Sequence, residues 1–364
     1  MRTPQKPRWR SPPPEGHRRA TSHQSAAAVK AMRLVSPGAP LVLTEVSLPS
    51  PRGHELLIRV QACGVCRTDL HLLDGELPAI PFPVTPGHEI VGAVAALGPQ
   101  VTEFRVGDRV GVPWLAFTCG ECVYCRSGRE NLCERARFTG YTRDGGYAEQ
   151  VLADARYCLP LPAEGAAAEL APLLCAGLIG YRAYRLACFG ETVGEPRRLG
   201  LYGFGAAAHL LAQVARAEGH PVFAFTRPGD TAGQRFARSL GAEWAGGSDE
   251  RPGEWLDAAI LFAPVGALVP AALGCVRPGG RVVCAGIHMS DVPAFPYRLL
   301  WGERSLSSVA NLTRADGREF LSLAARLHLK ATVQRFALGD ANLALERLRS
   351  GALEGAAVLE MPGN

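Results

Sequence analysis

The chain has 364 residues, a length that suits two domains, each with its own apolar core. No apolar run approaches the 18 or so residues of a membrane span, and the first thirty residues hold no hydrophobic signal core, so the expected address is the cytoplasm. The net charge of +5 invites a nucleic-acid reading, but Arg2, Lys6, Arg8, Arg10, Arg18 and Arg19 face only Glu15 within residues 1–28, which leaves the remainder neutral.

Residues 1–28 are rich in Pro, Ser and Arg and show no apolar period. They are expected to form a disordered basic leader: a solvated tail or sequence upstream of the true start, in preference to a nucleic-acid arm. From there to about residue 180 the sequence is strand-like and heavy in Gly and Pro, as in "ELLIRVQACGV", "EIVGAVAALG" and "GDRVGVPW", which predicts a β-rich domain. "ACGVCRTDLH" carries Cys66, Asp69 and His71, and "PGHEIVG" carries His88 and Glu89. Taken singly, His71 or His88 is more often a satisfied core or surface histidine than a ligand.

Eleven cysteines, an odd number, in a reducing compartment favour metal ligands over a disulfide framework. The segment "TCGECVYCRSGRENLC" places Cys119, Cys122, Cys125 and Cys133 so that a loop can turn four sulfurs onto one ion, and tetrahedral zinc is the natural occupant. With all four positions filled by protein, such a site braces a loop and does no chemistry. Cys175 follows in the apolar run "LAPLLCAG", where a lone cysteine is more often a small core residue.

Further on, "RRLGLYGFGAAAHLLAQVARAEGHPVFAFTRPGD" predicts a strand over 199–202, a glycine turn, a helix over 206–218 and a strand over 222–225. Gly203, Gly205 and Ala208 fit the dinucleotide fingerprint in its required strand–turn–helix setting, with a pyrophosphate expected at the helix N-terminus. Where an acidic residue would accept the ribose of NAD, the chain has Thr226 and Arg227, a pair that leans the cofactor towards NADP over NAD. Strands expected near 259–262, 281–285 and 306–310 continue an α/β alternation and imply a parallel sheet.

"GVCRTDLH", "PGHEIVG", the cysteine loop and "APLLCAG", in this order, resemble the zinc-dependent alcohol dehydrogenases of the medium-chain dehydrogenase/reductase family from about residue 30 to the C-terminus. The resemblance implies an α/β fold: a GroES-like β-rich catalytic domain over 29–180 and 315–364, and a Rossmann domain with a doubly wound parallel sheet over 181–314. It also implies two zinc ions per chain. Cys66, His88 and Cys175 match the catalytic ligands, and Cys119, Cys122, Cys125 and Cys133 match the structural set. Glu89 matches a carboxylate near the metal, and Asp69 the partner that fixes the histidine ring. Thr68 resembles the relay hydroxyl that passes the alcohol proton through the cofactor ribose to His71.

Arg67 and Arg314 are implied to meet the cofactor pyrophosphate, and "FAPVG" the nicotinamide edge; "AGIHMS" follows the next strand. Trp114 resembles a wall of the alcohol pocket. Leu77 stands where relatives acting on small alcohols often carry a large aromatic, which suggests a roomier pocket for medium-chain or aromatic primary alcohols and their aldehydes. The implied partners are small molecules and further copies of the chain, as a homodimer or homotetramer, with no membrane and no nucleic acid. A polyol, cinnamyl-type aldehyde or formaldehyde substrate keeps the same fold. A zinc-ribbon or thiol-sensing binding protein is the non-enzyme alternative, but it has no use for Cys66, His88, Cys175 or the glycine fingerprint.

Overall fold

The computed structural model describes residues 28–187 and 195–362. The expected leader, residues 1–27, lies outside them, whereas Ala28 already belongs to a hairpin strand, Ala28–Arg33.

Two large sheets organise the chain. In the first half, strands β1 (Glu55–Val65), β2 (Ile90–Leu97), β3 (Arg109–Val112), β4 (Gln150–Asp154) and β5 (Leu159–Pro160) join in one sheet, and helix α1 (Arg67–Leu73) follows β1 directly. Helix α2 (Ala176–Leu186) leads into the second half. There β6 (Leu199–Tyr202), α3 (Ala206–Ala217), β7 (Val222–Thr226), β8 (Trp244–Gly247), β9 (Leu256–Leu261), β10 (Val276–Cys284), β11 (Ser305–Ser308) and α4 (Arg314–Leu327) follow one another. The chain ends with β12 (Val333–Ala337), α5 (Ala341–Ser350) and β13 (Ala356–Glu360), which return to the first sheet.

The second sheet has the order β8-β7-β6-β9-β10-β11 and every pair is parallel. That is the doubly wound order, with its reversal between β6 and β9, at the end of which ligands bind in open α/β sheets. Its inner strands are apolar without alternation, and every residue of "LGLY" in β6 and "LDAAIL" in β9 is buried, as expected of a sheet covered on both faces. Leu201, Leu210, Ile260 and Phe320 belong to the core on one face, and the Tyr202 and Phe225 rings stack 4.0 Å apart on the other.

The first sheet has the order β12-β13-β1-β2-β3-β5, with β4 also on β1, and is antiparallel except for β12 and β13. Its core includes Ile58, Ile90, Tyr147 and Leu359. Among the described residues no helix is long and apolar enough to cross a membrane.

One expectation shifts. Strand β10 begins at Val276, before the expected Arg281, because Pro278, Gly279 and Gly280 form an irregularity inside the strand; those residue types read as a turn. The helix in "GREFLSLAARLHL", expected in the catalytic domain, packs against α2 and α3, with the Phe320 ring filling the space beside Gly177. The chain rejoins the first sheet at β12.

Candidate active site and metal centres

Cys66, the pair His88 and Glu89, and Cys175 come from three places in the chain, yet one ligand atom of each lies within 4.8 Å of the other three. Cys66 caps α1, where its backbone N–H donates to Asp69 Oδ2 at 2.9 Å. His88 and Glu89 immediately precede β2, and Cys175 sits at the entry to α2. The two sulfurs are 3.9 Å apart, far beyond the roughly 2.05 Å of a disulfide and close to the ~3.8 Å edge of a tetrahedron with 2.3 Å zinc–sulfur bonds.

The environment matches an ion. His88 is fully buried, and its Nε2 has no hydrogen-bond partner, an expensive state for an imidazole nitrogen unless a cation takes it. Nδ1 faces Asp69 Oδ1 at 3.4 Å. Asp69 is itself held by the Gly87 N–H at 3.2 Å and the Tyr147 hydroxyl at 3.1 Å, in addition to Cys66. The Cys175 thiol, hydrogen-bonded to Cys66, holds Cys66 well below the usual thiol range despite its burial. Burial, aided by Cys66, pushes the Glu89 carboxyl well above its ordinary range. Glycine at 64 makes that approach feasible, since a Cβ there would lie 1.8 Å from Glu89 Oε2. Two thiols, an imidazole and a carboxylate around one buried point form a donor set suited to zinc with an exchangeable position.

The four loop cysteines form the second group, with ligand atoms again within 4.8 Å of one another. Cys119 Sγ and Cys125 Sγ are 3.8 Å apart. Backbone N–H groups point at the sulfurs: Cys122 N to Cys119 Sγ at 3.3 Å, Cys119 N to Cys133 Sγ at 3.4 Å and Cys125 N to Cys122 Sγ at 3.5 Å. Against burial, the amides of Glu121 and Cys122 draw the Cys119 thiol down to about 6, while burial pushes Cys133 up to about 12. These sulfurs also fit a tetrahedral ion, with no protein-free position.

Around the first group, Thr68 Oγ1 lies 3.7 Å from Cys66 Sγ. His71, on the same helix, is nearly buried, and its Nδ1 is 2.5 Å from Glu76 Oε2. Trp114 stands edge-on to His88 at 4.7 Å and stacks on Phe138 and Tyr141, so it lies against the first group as well as in the core. Leu77 packs, half-buried, against the same core. Arg67 is exposed at the start of α1.

In the second half, Gly203 ends β6 with φ +87°, and a Cβ would meet the backbone N of Ala263 at 2.9 Å; Gly205 is open on that side, and Ala208 is fully buried beneath the helix start. Arg227 is exposed just past β7. Thr226 is not: its hydroxyl lies 3.2 Å from the Arg227 carbonyl and 3.3 Å from that of Gly246, and accepts from Gln234 Nε2. Arg314 opens α4 with its guanidinium over the Tyr157 ring and its Nε on Glu130. Sequence reasoning passed over Tyr147, Gly64, Glu76 and Glu130. Only the glycine beside an ordinary strand residue in "ACGV" hinted at a close approach; the others serve partners that nothing local reveals.

Residues 52–163 match the family model described as "Alcohol dehydrogenase GroES-like domain". The chain is 45% identical over 348 residues to "Probable alcohol dehydrogenase AdhA" of Mycobacterium tuberculosis, covering 93% of this chain and 99% of that protein. It is 36% identical over 332 residues to an alcohol dehydrogenase of Geobacillus stearothermophilus, covering 88% and 96%. Among solved structures, a cobalt- and zinc-bound thermostable alcohol dehydrogenase from Pyrobaculum aerophilum superposes with a TM-score of 0.82 at 27% identity, over 92% of this chain and 100% of that one. The chain belongs to the zinc-type alcohol dehydrogenases of the medium-chain dehydrogenase/reductase family, NAD(P)-dependent oxidoreductases of alcohols and aldehydes.

Proposed function

We propose that the enzyme interconverts a medium-chain or aromatic primary alcohol and its aldehyde, with NADP preferred over NAD and two zinc ions per chain. One ion is assigned to Cys66, His88 and Cys175, the other to Cys119, Cys122, Cys125 and Cys133. The observation that carries this reading is the convergence of the first three side chains on one point beside the orphaned Nε2 of His88. Zinc bound there supplies a Lewis acid that makes a substrate hydroxyl acidic near neutral pH.

The chain's own groups do the rest. Asp69 sets the His88 ring so that Nε2 points inward. Thr68 is placed beside Cys66 to take the hydroxyl proton, and His71 to receive it. Trp114 closes one side of the pocket, and Leu77 leaves room for a longer chain than an aromatic residue would. On the cofactor side the fingerprint turn of Gly203, Gly205 and Ala208 cradles the pyrophosphate at the N-terminus of α3, with Arg67 and Arg314 as further contacts. Because the Thr226 hydroxyl is spent inside the fold, the lean towards NADP rests on the exposed Arg227 guanidinium alone.

In this reading residues 29–180 and the closing strands β12 and β13 form the catalytic domain, and the parallel sheet the dinucleotide domain, in a cytoplasmic homodimer or homotetramer. Strand β11 supports self-association: it ends its sheet and all four of its residues are exposed.

Purified protein assayed by nicotinamide absorbance against a panel of alcohols and aldehydes, with each cofactor, tests the proposal. Hexanol or benzyl alcohol should be preferred to ethanol. Cys66→Ser should abolish turnover and lose one zinc per chain; full activity in that variant rejects the site assignment.

A further inference from the structure

His288 stands outside every role assigned so far. It lies in the loop after β10, in the cofactor half, yet its ring sits 5.2 Å from that of His71, centroid to centroid, at a tilt of 50°. His71 is bound at Nδ1 by Glu76, and the Glu76 backbone N–H in turn donates to the His71 carbonyl at 3.0 Å. Exposure rises along the series: the His71 side chain is 10% exposed and that of Glu76 41%, and His288 is open to solvent.

We propose that Glu76 and His288 complete the proton exit of the active site, Glu76 as the positioning residue of His71 and His288 as the base that takes the proton from His71 and delivers it to water. The inference rests on the alcohol-oxidising reading above, in which His71 receives the substrate's proton. The close carboxylate keeps a proton on Nδ1 and leaves Nε2 as the basic atom. A proton arriving at Nε2 makes an imidazolium, which Glu76 stabilises. One N–H bond of His71 then breaks as one forms on neutral His288, directly or across a single water, and His288 releases that proton to solvent. The sequence moves one proton and no electrons.

Two cations at this spacing repel, so the histidine pair holds one transferable proton at a time. Asp74 and Arg349 are the other charges beside this group. Asp74 ends α1, the helix that carries His71, and is clasped by Arg349 of α5 through two contacts of 2.7 Å, which matches the charge of each with the other. Because His71 and His288 belong to opposite halves of the molecule, the exit is complete only when those halves are held at this separation. Proton release is thereby tied to the arrangement that also brings cofactor to substrate.

Alcohol oxidation by the holoprotein, followed by nicotinamide absorbance with and without added imidazole, gives the direct test. Glu76→Gln should lower kcat several-fold at unchanged KM, while Glu76→Asp retains most of it. Wild-type kcat in both Glu76→Gln and His288→Ala overturns the inference. In turnover, His288→Ala should lose about ten-fold in kcat for alcohol oxidation near neutral pH in dilute buffer, recover with added imidazole, and keep its cofactor dissociation constant. A loss that imidazole leaves in place, accompanied by weaker cofactor binding, marks a packing role and also overturns it. A wild-type protein that oxidises no alcohol defeats the functional reading instead.

Discussion

The Glu130 carboxylate accepts the Arg314 backbone N–H at 3.0 Å and approaches its Nε at 3.3 Å, so the cysteine loop grips the first turn of α4. Asn131, the next residue, donates from Nδ2 to the Ala310 carbonyl at 2.7 Å. Both lie between Cys125 and Cys133. The loop that carries the four cysteines is therefore a contact between the two halves of the molecule.

Replacing Glu130 with Gln removes the charge from this grip while keeping the shape. The carboxylate is almost fully buried and receives a charge-assisted bond, so the cost should be about 1–3 kcal/mol, seen as a lower thermal midpoint. Cys122→Ser should loosen the same contact by way of the loop. Chelation that strips the loop zinc should reproduce the loss, and adding it to Glu130→Gln should cost less than the two losses summed. Full additivity would show that the loop and the α4 contact are independent.

Asp69→Asn is expected to strike the catalytic group without touching a ligand atom. Asp69 accepts from Cys66 N, Gly87 N and the Tyr147 hydroxyl, all donors, so an amide turns an N–H into one of them wherever it points. The variant should lose about 10–100-fold in activity or in affinity for the catalytic zinc, with the loop zinc retained. Metal content by mass spectrometry beside kcat/KM checks this, and two full zinc equivalents with normal turnover would refute it.

Much of this was legible because the chemistry is written in residue type. The loop cysteines point by spacing alone to four sulfurs gathered in one place, and the glycine turn announces itself through the strand before it and the helix after it. Cys66, His88 and Cys175 needed the resemblance, since nothing in a sequence tells which three of many distant residues the backbone folds together. Glu130 was unreadable for the same reason: its partner is 184 positions away. The misplaced start of β10 has a different cause. Pro278 and two glycines satisfy turn chemistry locally, and the pairing of β10 with β9 and β11 overrides it. Thr226 shows the converse limit, for a hydroxyl at the right position proves to be turned into the fold.

Strand β11 leaves an edge of unpaired backbone groups, with Leu306 at 39% exposure on it and Trp301 at 67% and Tyr297 at 71% just before it. A second copy pairing edge to edge would cover both strands and these side chains. Leu306→Asp places like charges on both sides of such a junction and should convert a dimer to monomers in sedimentation velocity, leaving the fold intact by circular dichroism. A variant that sediments as the wild type does would move the interface elsewhere.

His209 gives the fold a pH dependence of known sign. Its ring is fully buried on α3, with Nδ1 3.3 Å from the Gly205 carbonyl and Nε2 accepting the Thr332 N–H at 3.2 Å, so the geometry requires the neutral ring with its proton on Nδ1. Burial lowers it from 6.5 to about 4. Between these values the unfolded chain binds the proton and the folded chain does not. The stability contributed by the neutral ring is therefore complete above about pH 6.5, falls as pH drops towards 4, and amounts to about 3 kcal/mol in all. His209→Asn should be less stable than wild type near pH 7.5 because it loses a bond, yet should lose less on going to about pH 5. Urea midpoints at the two pH values measure this directly, and an equal drop in both proteins would mean that His209 is not the group being titrated.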